Sequence, residues 1–390
     1  MPVLTASNSL YLHIPFCTVR CTYCAFNTYI NLESLIEPFT NALIREIECV
    51  ARSSSGLKLH TIYFGGGTPS LLSHIQIGRI LSTVRREFDL DADAEISMEA
   101  NPDDIHIDYV HALMEQGINR LSLGMQSANN RELQLFGRRH DADTIHRAVA
   151  AARRAGLKNF NLDLIFGIPH QTLHDWEVSL NQLLWLQPEH ISVYALGLED
   201  GTAMNSWVQK GKLPLPDDDL TADMYEFADG YFNTHGYQQY EISNWSLPSR
   251  ECKHNKQYWL NLPYLGLGPG AHGYMDKLRY ETILSPHRYI NLLINSDASH
   301  KFPLTPAVND WHEIDRDTEI AETLLMGLRL TQIGINRFDF VQRFGKDVMD
   351  CHGSTIEKFA ESGLLILDDK KLILSPKGRF LSNMIFREFV

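Results

Sequence analysis

Three of the six cysteines in this chain fall within eight positions, in the stretch HIPFCTVRCTYCAF at residues 13–26. Cys17, Cys21 and Cys24 have the spacing C-x3-C-x2-C. Thiols clustered in this way tend to bind metal. Structural zinc wants four protein ligands, and no second C-x2-C pair stands elsewhere to complete the set. A [4Fe–4S] cube on three thiolates leaves one iron without a protein ligand, open to a small molecule. A trio of structural thiols is the third reading, although Pro15 at the end of an apolar run puts the cysteines in a loop. The open iron gives a reason for three cysteines rather than four. Cys49, in an amphipathic helical pattern, and Cys351 read as ordinary small apolar residues. Cys252 stands alone, two positions before His254.

The elements that must position these groups follow a regular rhythm. β-like runs at Ser9–Ile14, His60–Phe64, Ala94–Met98, Arg120–Gly124, Asn159–Ile165 and His190–Leu196 alternate with amphipathic helical segments such as Ile36–Val50 and Ile75–Phe88. Such strand–helix units predict a parallel sheet with right-handed crossovers, open or closed into a full or partial barrel. A polar group stands at or near the end of each run: the cysteines, then Gly65-Gly66-Gly67-Thr68-Pro69, Glu99-Ala100-Asn101-Pro102, Gln126-Ser127, Asp163, and Ala195 with Glu199. Any one of these also reads as a cap or turn. All six together suit one large site on the carboxyl-terminal rim of an α/β barrel.

Beyond about residue 200 the rhythm breaks. Leu213–Asp219 reads as a loop, 220–235 as a helix and Tyr237–Ile242 as a strand, and 251–275 is rich in aromatic residues and glycine. Helical patterns at Thr318–Leu330, Arg337–Phe344 and Ser354–Ser362 precede a hairpin, Leu364–Leu367 and Leu372–Leu374, so this end resembles a winged helix. With 390 residues, 44% apolar and 21% charged, the composition is that of an ordinary globular protein. A formal net charge of −13 argues against non-specific nucleic-acid binding, and for a packing or interaction role of the winged part. The start MPVLTASNSLYLHIPF lacks a secretory pattern and no run is long enough to span a bilayer, so a cytoplasmic protein is expected. Sparse cysteines fit that reducing compartment.

C-x3-C-x2-C after the first strand of a βα alternation resembles the radical S-adenosylmethionine (SAM) enzymes. That resemblance implies a [4Fe–4S] cluster on Cys17, Cys21 and Cys24, with SAM on the open iron. The longer strings Tyr11-x-His13-Ile14-Pro15-Phe16-Cys17, Gly65–Ser70 and Asp163–Pro169 are similar to the oxygen-independent coproporphyrinogen III oxidase (HemN) group, over residues 9 to about 385. It implies an α/β fold: a partial (β/α)6 TIM-like barrel followed by a smaller α+β C-terminal domain with winged-helix-like elements. The expected division is 1–235 for the radical SAM core, 236–300 for an extension and 301–390 for the C-terminal domain. Carried over by motif, Tyr11, Gly66, Glu99, Gln126, Arg138 and Asp163 contact SAM. Tyr23, Gly67 and Thr68 lie where a second SAM is held in that group. Without the family, Arg138 and Asp163 would read as a structural ion pair.

The oxidases carry a further cysteine two places after the third, where this chain has Phe26. That variant resembles the HemW subgroup of heme chaperones. His254-Asn255-Lys256-Gln257-Tyr258-Trp259 matches its H-N-x-x-Y-W motif, implying heme contacts by His254, Asn255, Tyr258 and Trp259. A histidine can ligate heme iron while neighbouring aromatics cover the porphyrin, although a lone histidine beside Tyr and Trp is more often ordinary packing. Leu267–Gly273 reads as a backbone turn near the cofactor site. The resemblance implies heme, heme-acceptor proteins such as membrane-bound respiratory enzymes, an electron donor and a second copy of the chain as partners, no nucleic acid, and peripheral membrane contact during delivery. Two alternatives stay open: oxidative decarboxylation of coproporphyrinogen III, and a regulatory iron–sulfur protein using the winged part.

Overall fold

The computed structural model describes residues 8–54, 56–295 and 300–389; residues 1–7 of the stretch read for a leader lie outside them. Six strands, β1 (Asn8–Ile14), β2 (Lys58–Gly66), β3 (Asp89–Ala100), β4 (Arg120–Gln126), β5 (Phe160–Phe166) and β6 (His190–Ala195), pair in parallel and in sequence order. The crossovers carry α1 (Ile36–Ser53), α2 (His74–Glu87), α3 (Ile107–Gln116), α4 (Asn130–Leu135), α5 (Ala142–Arg154) and α6 (Leu173–Trp185). Five of these helices begin at side-chain caps on Ser73, His106, Asn129, Asp141 and Thr172, which satisfy amide groups the first turn leaves free.

Period-two alternation divides each strand between two environments. Leu10, Leu12, Ile62, Phe64, Leu121, Leu123, Leu162, Leu164, Ile191 and Val193 join the buried apolar core. The intervening Tyr11, Tyr63, Glu99, Arg120, Ser122, Asn161, Asp163, His190 and Ser192 line a cavity. The sheet is therefore apolar on its helix-covered side and polar within.

Beyond α7 (Ala203–Gln209) and α8 (Asp218–Thr234), the chain adds strands to both edges of this unit. β7 (Gln238–Glu241) and β8 (Asn244–Ser246) form a hairpin whose second strand pairs antiparallel with β6. The chain then crosses through α9 (Lys253–Trp259) to β9 (Tyr264–Leu267), which pairs parallel with β1. The antiparallel β10 (His272–Met275), β11 (Leu278–Thr282) and β12 (Val308–Glu313) follow, with α10 (Pro286–Asn295) between the last two. Twelve strands result, in the order β12-β11-β10-β9-β1-β2-β3-β4-β5-β6-β8-β7. Because α9 joins strands on opposite edges of the six, it must cross the opening of the partial barrel.

A second apolar core gathers Ile320 to Phe389 from α11 (Arg316–Gly327), α12 (Arg337–Phe344), α13 (Val348–Glu361) and a small sheet of β13 (Ile335–Asn336), β15 (Lys371–Leu374) and β14 (Leu365–Leu367). This is the winged-helix-like unit. The boundary expected at 300 falls inside the large sheet, which ends at Glu313, because β12 pairs with β11. Arg337 pairs with Asp347 at 3.0 Å and Arg343 with Glu319 at 2.6 Å, while Arg343 also donates to Asn261 O at 2.9 Å, so the arginines of α12 are engaged in packing within the unit and against its neighbour. Among the described residues no helix is long and apolar enough to cross a membrane.

Candidate functional site

The loop carrying the three cysteines leaves β1 and is clamped on several sides. Cys17 N donates to Tyr29 O at 2.9 Å, and Thr68 N donates to Phe16 O at 2.7 Å. Thr22 is held by Phe136 O and Leu135 O, at 3.0 and 2.8 Å. On the far side Asn27 Nδ2 donates to Pro269 O at 2.9 Å, so the glycine-rich turn Leu267–Gly273 braces the loop from behind. Cys17, Cys21 and Cys24 are free thiols that line one cavity. Burial pushes the Cys17 and Cys24 thiols up, and the neighbouring cysteines add to that rise. Among the described residues no three His, Cys, Asp or Glu groups converge to hold a single ion. A cuboidal cluster binds each thiolate on a different iron, and three thiols on one loop match three of its four corners.

The rim residues expected at SAM line the same cavity: Tyr11, Tyr23, Gly66, Gly67, Thr68, Glu99, Gln126, Arg138 and Asp163. Gly66 has φ of +111°, and a Cβ there would lie 2.5 Å from the His13 ring; one on Gly67 would lie 2.6 Å from Phe16 O. Only glycine permits this close approach of backbone to loop. Glu99 accepts from Tyr63 OH at 3.0 Å and from Gly66 N at 3.1 Å. Burial, then the Asp163 carboxylate, raises Glu99 to about 7. Asp163 accepts from Asn161 at 2.7 Å and Ser122 at 3.3 Å. Arg138 donates to Gly124 O at 3.0 Å and approaches Cys21 Sγ at 3.6 Å. Arg138 and Asp163 therefore form no ion pair with each other, contrary to the reading of the two without the family. Gln126 ends β4 with φ of +65°, where the β4–β5 register shifts, and a non-glycine residue held there is strained. Thr68 Oγ1 donates to Cys17 Sγ at 3.4 Å, and Tyr23 packs edge-on against Phe136 at 4.8 Å.

α9 closes the deep end of this cavity. Its start is pinned by Glu95, which accepts from Lys253 N at 3.1 Å and His254 N at 3.2 Å and lies 3.4 Å from Cys252 Sγ. His254 is 1% exposed, and burial lowers its imidazole to about 3. Thr61 donates its hydroxyl proton to Ser9 Oγ at 2.6 Å and so accepts from His254 Nδ1–H at 2.8 Å. The lone pair then resides on Nε2, where Tyr258 OH caps it at 2.9 Å. Asn255 Nδ2 donates to Tyr240 OH at 3.2 Å. His254, Asn255 and Tyr258 thus line the cavity, as does Cys252, whose thiol burial pushes up to about 12. Trp259 does not join them. It turns to the C-terminal unit, where the Arg329 guanidinium stacks 4.4 Å above its ring, so it shares no porphyrin-facing surface with Tyr258 here.

The cavity measures about 700 Å³, within the ~300–1,000 Å³ typical of small-molecule and cofactor sites. Arg120, His190, Tyr63, Tyr194 and Asn161 also line it and were not singled out from the sequence. A signal was there: strands buried on both faces of a parallel sheet read as continuous apolar runs, and these break that rule at every second position.

Comparison with known proteins adds a second line of observation. Residues 11–183 match the radical SAM superfamily and residues 314–381 the HemN C-terminal domain. The heme chaperone HemW of Bacillus subtilis is 36% identical, covering 98% of this chain and 99% of its own. HemW of Lactococcus lactis is 34% identical, covering 100% of this chain and 98% of its own. The mouse mitochondrial radical S-adenosyl methionine domain-containing protein 1 is 34% identical, covering 95% of this chain and 84% of its own. Among solved structures, coproporphyrinogen III oxidase (HemN) from Escherichia coli, a radical SAM enzyme, aligns with a TM-score of 0.84 at 25% identity, over 98% of this chain and 90% of that one.

Proposed function

Because the chain belongs to the HemW family, within the radical SAM superfamily, we propose that it is a heme chaperone that binds heme and delivers it to acceptor proteins. The observation that carries this is a shared chamber: the three thiols open into the same cavity as His254, Asn255 and Tyr258. A [4Fe–4S] cube on Cys17, Cys21 and Cys24 supplies an open iron as a coordination site for SAM. Around it the glycine turn brings backbone close, Glu99 offers a carboxylate to ribose hydroxyls, and Gln126, Arg138, Asp163 and Tyr11 supply the remaining contacts. Tyr23, Gly67 and Thr68 are the candidates for a second SAM.

For heme, His254 supplies an imidazole whose tautomer suits ligation. Its Nδ1–H is held by Thr61, as ligating histidines usually are, and Nε2 carries the lone pair. Ligation requires Nε2 to exchange the Tyr258 hydroxyl for iron. Asn255 and Trp259 complete the motif, Trp259 at the junction with the C-terminal unit. The reading calls for hemoprotein acceptors, including membrane-bound respiratory enzymes, for an electron donor to the cluster and for a cytoplasmic location, and it allows a second copy of the chain.

The alternative is oxygen-independent coproporphyrinogen III oxidation, favoured by the HemN likeness over nearly the whole chain. Against it stands Phe26, 69% exposed, where those oxidases carry a cysteine. Mixing hemin-loaded protein with an apo-hemoprotein tests the choice. The chaperone reading expects the acceptor's Soret spectrum to develop, with no loss of coproporphyrinogen III in a parallel assay with SAM and reductant. Retained heme together with porphyrinogen turnover would establish the oxidase instead.

A further inference from the structure

β4 turns Arg120, Ser122, Gly124 and Gln126 into the cavity. Arg120, the first of them, stands deepest, on the side closed by α9. The residue is 2% exposed, and its Nε is buried without a hydrogen-bond partner. Among the described residues its guanidinium forms no ion pair.

Glu95, Glu99 and Asp163 are near enough to feel the Arg120 charge, but their hydrogen bonds go to other groups. Glu95 holds the start of α9, Glu99 accepts from Tyr63 and Gly66, and Asp163 accepts from Asn161 and Ser122. Arg120 is therefore a permanent cation, taken out of water, facing open space with unused donors. Aromatic groups stand around it beside the Glu99 and Asp163 carboxyls, which feel its charge: Tyr63, Tyr194 and Tyr258 line the cavity, and burial pushes the His190 imidazole well below its usual range. A planar fork of donors matches a carboxylate in bidentate fashion, and aromatic walls suit a flat, conjugated body.

We propose that Arg120 is the anion anchor of this chamber, binding a side-chain carboxylate of a porphyrin. The proposal rests on the heme-chaperone reading and deepens it: iron is held from the α9 side and a propionate from β4. SAM also carries a carboxylate, so the test must separate the two sources.

The probes are metal-free protoporphyrin IX and its dimethyl ester, titrated by fluorescence against the cluster-reconstituted protein. Without iron, ligation by His254 plays no part. The wild type should bind the free acid more tightly than the ester. Arg120→Gln should lose roughly 10- to 100-fold in affinity for the acid, the scale of a lost hydrogen bond to a charged group, with ester and SAM binding unchanged. Arg120→Lys, which keeps the charge, should recover part of the loss. Equal binding of acid and ester by the wild type overturns the proposal without any variant. So does an Arg120→Gln protein that keeps full affinity for the acid, loses acid and ester alike, or loses SAM instead. A hemin titration separates the two levels. If hemin fails to saturate the wild type, the chaperone reading falls and the anchor with it. If hemin saturates the wild type while acid and ester bind alike, only the anchor falls.

Discussion

At the scale of single residues, three thiols, one acid and one imidazole carry the chemistry. Cys21→Ala should abolish the visible absorption of the reconstituted cluster and its iron, whereas Cys252→Ala should keep both, because Cys252 lies at the start of α9, bonded to Glu95, and not on the cysteine loop. Full iron loading of the Cys21 variant would contradict the three-thiolate site. Glu99 binds its proton more tightly when folded, with a value near 7 against an ordinary 4.5. Its contribution to stability is therefore complete below about pH 4.5 and is lost as pH rises through about 7. Glu99→Gln should remove that dependence, so its stability relative to wild type should grow across this window, by roughly 3 kcal/mol in all. Parallel curves of melting temperature against pH would show that Glu99 titrates normally. Tyr258→Phe strips the hydroxyl that caps His254 Nε2. Hemin should then bind about 2- to 10-fold more tightly, the scale of one net hydrogen bond, and His254→Ala should weaken binding while leaving the cluster intact.

At the scale of elements, α9 depends on Glu95, the acceptor for two of its first amides. Glu95→Ala should speed amide exchange in Lys253–Trp259 and cost roughly 2 kcal/mol, since buried amides would lose a charged acceptor. Unchanged exchange there would mean that α9 is held by something else. The six barrel strands were legible because short apolar runs alternate with helical periods, and the expected ends of Arg120–Gly124 and Asn159–Ile165 lie within two residues of those observed. The cysteine loop and rim residues were legible because their types and spacing are unusual. Strands β9 to β12 were not. The β10–β11 turn places Asp276 and Lys277 at φ of +52° and +62°, a conformation normally signalled by Asn-Gly, which this chain lacks. Nor did the motif on α9 show which way each side chain turns. Only the pairing of β8 with β6 and β9 with β1 reveals that His254 and Tyr258 face inward while Trp259 faces the C-terminal unit.

At the scale of the whole molecule, the C-terminal unit is seated on the segment that carries α9. Arg343 donates to Asn261 O at 2.9 Å, Thr331 donates to Gln239 O at 2.9 Å, and Arg329 stacks on Trp259. Trp259→Ala should loosen this seat by roughly 2 kcal/mol, the scale of a desolvated cation–π contact, and expose the Glu313–Arg316 connection to limited proteolysis. A cleavage pattern like that of the wild type would place the docking energy elsewhere. The arginines of α12 are engaged by Asp347, Glu319 and the Asn261 carbonyl, which suits this unit to a packing role. The whole molecule is thus a polar chamber with a cysteine loop at one end, a histidine helix at the other, and a small domain bearing on that helix. An anaerobic hemin titration of the cluster-reconstituted protein, followed through the Soret band, tests that account most directly. It predicts saturation near one heme per chain, with a spectrum that changes in His254→Ala. Hemin that never saturates, or a Soret band identical in the variant, would contradict it.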